Sequence, residues 1–147
     1  MPVPPKVIYP AVAEYRQHFE RVYCNGTILT FDGIAVRFRK EDFDHCMFES
    51  SKRDKVKDQF SKERSERIDW IKATLENPEA ELYQGWDGKQ KCYLPDRRVS
   101  VVYEEFVVVI QLVGHPHGPR KAIFITAYLA DNNIDRIKRG PKWVLKQ

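Results

Sequence analysis

The chain has 147 residues, of which 31% are charged and 42% hydrophobic, with a formal net charge of +4 and a pI near 8.9. That length buries a core without disulfide or metal staples, and no apolar run approaches the length of a membrane span. Three dispersed cysteines, Cys24, Cys46 and Cys92, form neither a C-x-x-C pair nor a disulfide framework, so a single domain in a reducing cytoplasm is expected, with no secretory leader and no membrane association.

Residues 1–10, M-P-V-P-P-K-V-I-Y-P, read as an extended arm stiffened by proline. A mainly helical part over 11–78 follows. In Ala11–Cys24, Val12, Tyr15, Phe19, Val22 and Tyr23 fall near one helical face, and Asn25-Gly26 supplies a stop. Thr27–Phe31 and Ile34–Arg39 are β-rich runs joined by Asp32-Gly33, which predicts a small hairpin. A short helix or turn then holds His45. One long charged helix is expected from about Lys52 to Leu75, closed by Asn77-Pro78. On it Phe60, Ile68, Ile71 and Leu75 form an apolar stripe with Arg64 in its middle and Lys57 at its head.

From residue 79 to 130 the pattern turns to strands. Asp87-Gly88 marks a second hairpin, and R-R-V-S-V-V-Y and F-V-V-V-I-Q-L-V meet near Glu104-Glu105. Val107 to Ile110 is apolar on both faces, as a central strand requires. In K-A-I-F-I-T-A-Y-L, strict alternation puts Ile123, Ile125 and Leu129 inward and Phe124, Thr126 and Tyr128 on the other face. The basic tail, 131–147, carries a short helix capped by Asn132-Asn133 and stopped by Gly140-Pro141. Helices first and an antiparallel meander after describe an α+β domain.

Several residues can carry chemistry. His45 can move a proton near neutral pH, or be a satisfied, half-buried ring among Phe43, Met47 and Phe48. A guanidinium in an apolar stripe needs either a carboxylate partner, with Asp44 and Glu104 as candidates, or a cleft that binds anions. Lys57 and Arg64 lie about two turns apart, a spacing that suits phosphate, with Arg67 to the side. Thr126 and Tyr128 offer hydroxyls on one face, and Arg97 and Arg98 can extend a phosphate track or serve as edge charges. His115 and His117 form an H-x-H without a third ligand in sequence, so no metal site and no cofactor is expected.

A histidine ahead of F-S-K-E-R (Phe60–Arg64), then W-I (Trp70-Ile71) through L-E-N-P (Leu75–Pro78), then a meander ending in T-A-Y (Thr126–Tyr128), resembles the phage-associated branch of the barnase/EndoU/colicin/RelE-like (BECR) ribonucleases. The likeness spans about residues 34–129. It implies N-terminal helices packed on a four-stranded antiparallel sheet and a metal-independent endoribonuclease acting as a toxin or a phage or mobile-element effector. The implied partners are RNA and an inhibitor or antitoxin protein. His45, Arg64, Thr126 and Tyr128 would be catalytic; Lys57, Arg67, Arg97 and Arg98 would bind substrate. The paired histidine of the EndoU branch has no counterpart unless His115 or His117 fills it. Two other classes stay open: a non-catalytic RNA- or DNA-binding module, and a structural or partner-binding protein with Arg64 in an internal salt bridge.

Overall fold

The computed structural model describes residues 4–49, 59–87, 90–113, 121–130 and 134–143, without the side chains of 86, 87 and 94–97. Lys57, the Arg97 side chain, the H-x-H loop and the Asn132-Asn133 cap lie outside it.

Helix α1 (Val12–Tyr23) buries Tyr15, His18, Phe19 and Tyr23, the expected face with a histidine added. Strands β1 (Thr27–Leu29) and β2 (Ala35–Arg37) pair antiparallel across Asp32-Gly33, where Gly33 takes a φ of 91° that a side chain would strain. Helix α2 (Asp42–Met47) carries His45 and begins on a local clasp: the Arg39 amide donates to Asp42 Oδ2 at 2.9 Å and its guanidinium to Oδ1 at 3.0 Å.

The long helix expected over Lys52–Leu75 is not continuous. Residues 52–58 lie outside the described part, and Gln59–Phe60 form β4, paired antiparallel with β3 (Phe48–Glu49). Ser61, extended and accepting from the Arg64 amide at 3.2 Å, caps a new helix α3 (Lys62–Glu66). At Arg67 the backbone turns (φ −99°, ψ 24°), and α4 (Ile68–Glu76) starts afresh, burying Ile68, Ile71, Thr74 and Leu75. A serine that competes for backbone amides outweighs the helical period on either side. Arg64 therefore belongs to a different helix from the apolar stripe it had been assigned to.

Strands β5 (Glu81–Asp87), β6 (Cys92–Tyr103), β7 (Phe106–Val113) and β8 (Lys121–Leu129) form the antiparallel meander. The sheet is six-stranded rather than four-stranded, in the order β1-β2-β8-β7-β6-β5, because the small hairpin joins it through β2, parallel to β8 over Lys121–Ile123. The β-rich runs on either side of Pro95 belong to one strand, β6. Gln84 pairs with Val99 but Gly85 pairs with Leu94, so residues 95–98 bulge away from β5.

A second irregularity corrects the alternation along β8. Val109 faces Thr126 while Ile110 faces Phe124, so the backbone slips phase at Ile125. Ala122, Phe124 and Ala127 enter the main core, while Ile123 and Ile125, expected there, are half-buried. Thr126 and Tyr128 still share a face, with Val109 and Val107 as their β7 partners.

The main core packs α1, α2 and α4 on one face of the sheet around Phe19, Phe38, Phe43 and Phe124. Each such aromatic pair adds about 0.5–1.5 kcal/mol beyond its buried area. On the opposite face a smaller cluster of Tyr83, Val102, Val107 and Ala130 sits with Ile134 and Ile137 of α5 (Ile134–Lys138). The arm is fastened at several points: the Val7 amide donates to the Glu66 carbonyl, the Tyr15 hydroxyl to the Val7 carbonyl, and the Trp70 indole to the Pro4 carbonyl. Among the described residues no helix is long and apolar enough to cross a membrane. The architecture is mixed α+β with a mostly antiparallel sheet.

Candidate functional site

Because β2 covers only the first three residues of β8, the second half of that strand has a ladder neighbour on one side alone. Helix α2 fills the gap, its Cys46 thiol donating to the Ala127 carbonyl at 3.5 Å, with the Thr126 side chain as a further hydrogen-bonding neighbour. Burial pushes that thiol's pKa up, so Cys46 is a packed, protonated residue rather than a nucleophile.

Arg64 reaches this edge from α3. Its Nη1 donates to the Cys46 carbonyl at 3.0 Å, its Nε lies 3.4 Å from Glu49 Oε1, and its Cζ stands 5.9 Å from the centre of the Tyr128 ring. The β3–β4 pair explains the convergence, since it folds Glu49 back beside Gln59, immediately ahead of α3. The carboxylate partner is thus Glu49, not Asp44 or Glu104; Asp44 pairs with Arg16 at 2.6 Å. Tyr128 is half-buried, and burial raises its phenol pKa while the nearby Arg64 charge pulls it down.

Tyr128 also lines a cleft of about 440 Å³ on the open face of the sheet, together with Arg98 and Ser100 of β6, Gln84 of β5, Tyr93, and Arg136 of α5. No described residue lining it is a carboxylate, and neither arginine has a carboxylate partner among the described residues. Arg98 owes its place to Gly85, since a Cβ there would lie 2.4 Å from the Arg98 Cβ. Two further clefts among the described residues include carboxylates in their linings. The one at the β6–β7 turn sets Arg67 and Lys138 against Glu104 and Glu105. In the one near Cys24, Arg39 is held by Asp42 and Lys40 by Glu20, while Arg37 lines it beside Glu41. Two guanidiniums with no carboxylate among the described lining residues make the Tyr128 cleft a candidate anion site.

Of the residues expected from sequence, Arg64, Thr126 and Tyr128 meet at the β8 edge, and Arg98 joins Tyr128 in the cleft. His45 does not join them. Its side chain is exposed on the outer face of α2, no described residue hydrogen-bonds to its ring, and it does not line the cleft. Arg67 is drawn elsewhere, donating to the Glu63 carbonyl at 2.7 Å and lying 5.1 Å from the Trp70 ring centre. Arg136 was not singled out from sequence, because nothing local distinguishes it from its basic neighbours.

A second constellation was also missed. The Tyr9 hydroxyl lies 2.9 Å from His18 Nδ1, and His18 Nε2 lies 2.7 Å from Asp69 Oδ1. With Nε2–H donating to the carboxylate and Nδ1 accepting from the phenol, the buried imidazole satisfies both partners when neutral. Its signal was present, since position 18 falls between Tyr15 and Phe19 on the apolar face of α1. Among the described residues no group of three His, Cys, Asp or Glu side chains is arranged to hold a metal ion. No family model, no curated protein and no solved structure matches the chain.

Proposed function

We propose that the protein is a metal-independent endoribonuclease that binds single-stranded RNA along Tyr128. The observation that carries this reading is the double engagement of one phenol: Tyr128 stands beside the Arg64 guanidinium and also lines a cleft with two arginines that lack carboxylate partners among the described residues. The motif likeness to BECR ribonucleases points the same way, and a toxin or phage effector with an inhibitor partner fits it.

In the proposed reaction the RNA's own 2′-hydroxyl attacks the adjacent phosphorus. The bond to the 5′-oxygen breaks, leaving a 2′,3′-cyclic phosphate and a free 5′-hydroxyl. One proton leaves the 2′-oxygen and one arrives at the 5′-oxygen. Tyr128, a phenol and therefore protonated at neutral pH, serves as the donor to the departing alkoxide, with Thr126 orienting the phosphate. Arg64 and Arg98 stabilise the charge that grows on the phosphorane, an interaction stronger in the transition state than in the ground state. His45 stands outside this constellation, so the 2′-proton passes to solvent water.

The test is incubation of the protein with unstructured RNA in EDTA, followed by analysis of product ends. Cleavage leaving 2′,3′-cyclic phosphates, lost in Tyr128→Phe and Arg64→Ala and absent on DNA of the same sequence, supports the reading; intact RNA sinks it. A second, structural reading is favoured by one observation, the engagement of Arg64 by both Glu49 and the Cys46 carbonyl. On that reading Arg64→Ala lowers stability and nothing else.

A further inference from the structure

We infer that the open-face cleft is a nucleotide subsite, with a phosphate held between Arg98 and Arg136 and a base stacked on Tyr93. This rests on the reading of the chain as an RNA-binding protein, but its test requires no turnover. The cleft's volume, about 440 Å³, falls in the range of about 300–1,000 Å³ common for small-ligand sites, so it takes one nucleotide unit rather than a duplex. The cations enter from two separate elements, the bulged β6 and α5, and no described lining residue opposes them.

Tyr93 supplies what a bare phosphate site would lack. It is 37% exposed, so part of the ring is open to solvent at the cleft. The ring is seated on the turn after α5: a Cβ at Gly140 would lie 3.0 Å from its Cε1 and 3.3 Å from its hydroxyl. Gly140 thereby lets the ring edge approach the backbone closely, which holds the ring in place at the cleft, where a base can stack. Gln84 and Ser100, on neighbouring strands, add an amide and a hydroxyl that can meet polar groups of the base or ribose. An inorganic anion or a sugar phosphate would use the arginines but gain nothing from the aromatic face.

Calorimetric titration with adenosine 5′-monophosphate, ribose 5-phosphate and inorganic phosphate separates these cases. The nucleotide is expected to bind at least about ten-fold more tightly than ribose 5-phosphate, the size of one base–aromatic stack. Tyr93→Ala should erase that difference, Tyr93→Phe should keep it, and the double variant Arg98→Ala/Arg136→Ala should abolish binding of all three. Equal affinity for nucleotide and sugar phosphate, or a Tyr93→Ala protein that still distinguishes them, overturns the inference. So does the absence of nucleotide binding by a protein that cleaves RNA. Nucleotide binding that depends on Tyr93 in a protein that leaves RNA intact upholds the subsite and rejects the ribonuclease.

Discussion

The guanidinium of Arg64 lies 5.9 Å from the ring centre of Tyr128 while its other atoms hold the Cys46 carbonyl and the Glu49 carboxylate. One side chain thus ties α3 to α2, to β3 and to the last strand of the sheet. On the ribonuclease reading Arg64→Ala should cut RNA cleavage by about 10²–10³-fold, the usual cost of removing one transition-state donor. Loss of its hydrogen bonds should cost about 1–3 kcal/mol of stability, read as a modest fall in Tm. Arg64→Lys should restore little of either, since an ammonium has no planar fork to span the two oxygens. A large Tm fall with unchanged cleavage would assign the residue to the scaffold.

Tyr128 offers a pH signature. Burial raises its pKa above the ordinary phenol value of 10.0, and a proton donor with a raised pKa stays protonated to higher pH. The midpoint of the alkaline decline in cleavage should therefore lie above pH 10, provided circular dichroism shows the fold intact. Tyr128→Phe should be slow at every pH and lose that alkaline limb. A decline of the wild type well below pH 10 would remove Tyr128 as the acid.

Gly85→Ala should disable the cleft without touching an arginine. The new Cβ would meet the Arg98 Cβ at 2.4 Å, so the bulged segment of β6 must move. Adenosine 5′-monophosphate affinity should drop about as far as in Arg98→Ala, with the helical circular dichroism signal retained. Full affinity in the Gly85→Ala protein would contradict the placement of Arg98.

The Tyr9–His18–Asp69 chain should govern the arm rather than the cleft. His18→Ala leaves two partly buried partners unsatisfied and should destabilise by about 1–3 kcal/mol. Amide exchange over residues 6–9 should quicken, while RNA cleavage at saturating substrate stays near wild type. Unchanged exchange there would mean that the Val7, Tyr15 and Trp70 bonds suffice on their own.

How much of this was legible depended on the range of the cause. Helix α1, the Gly33 turn, the two-faced apolar run of β7 and the short basic α5 were readable because each is set by neighbours within a few residues. The break of the expected long helix was harder, since Ser61 reads as an ordinary surface residue until the pairing of Phe48 with Phe60 fixes the chain before it. The phase slip at Ile125 was invisible for a similar reason, because a bulge is set by registry with β7 and strict alternation extends past it. For the site, the oddity of Arg64 was visible but its partner Glu49 was not, and the cleft's second arginine comes from the far end of the chain.

The last described residues run along the outer strand of the sheet. The Trp143 amide donates to the Leu82 carbonyl, the Gln84 amide to the Pro141 carbonyl, and Lys142 bridges to Tyr83 in the antiparallel sense and to the Glu81 carboxylate at 3.5 Å. A row of main-chain donors and acceptors that would otherwise invite a foreign strand is taken up by the chain itself. The same stitch anchors the turn at Gly140, so this last described segment sets the wall against which Tyr93 leans.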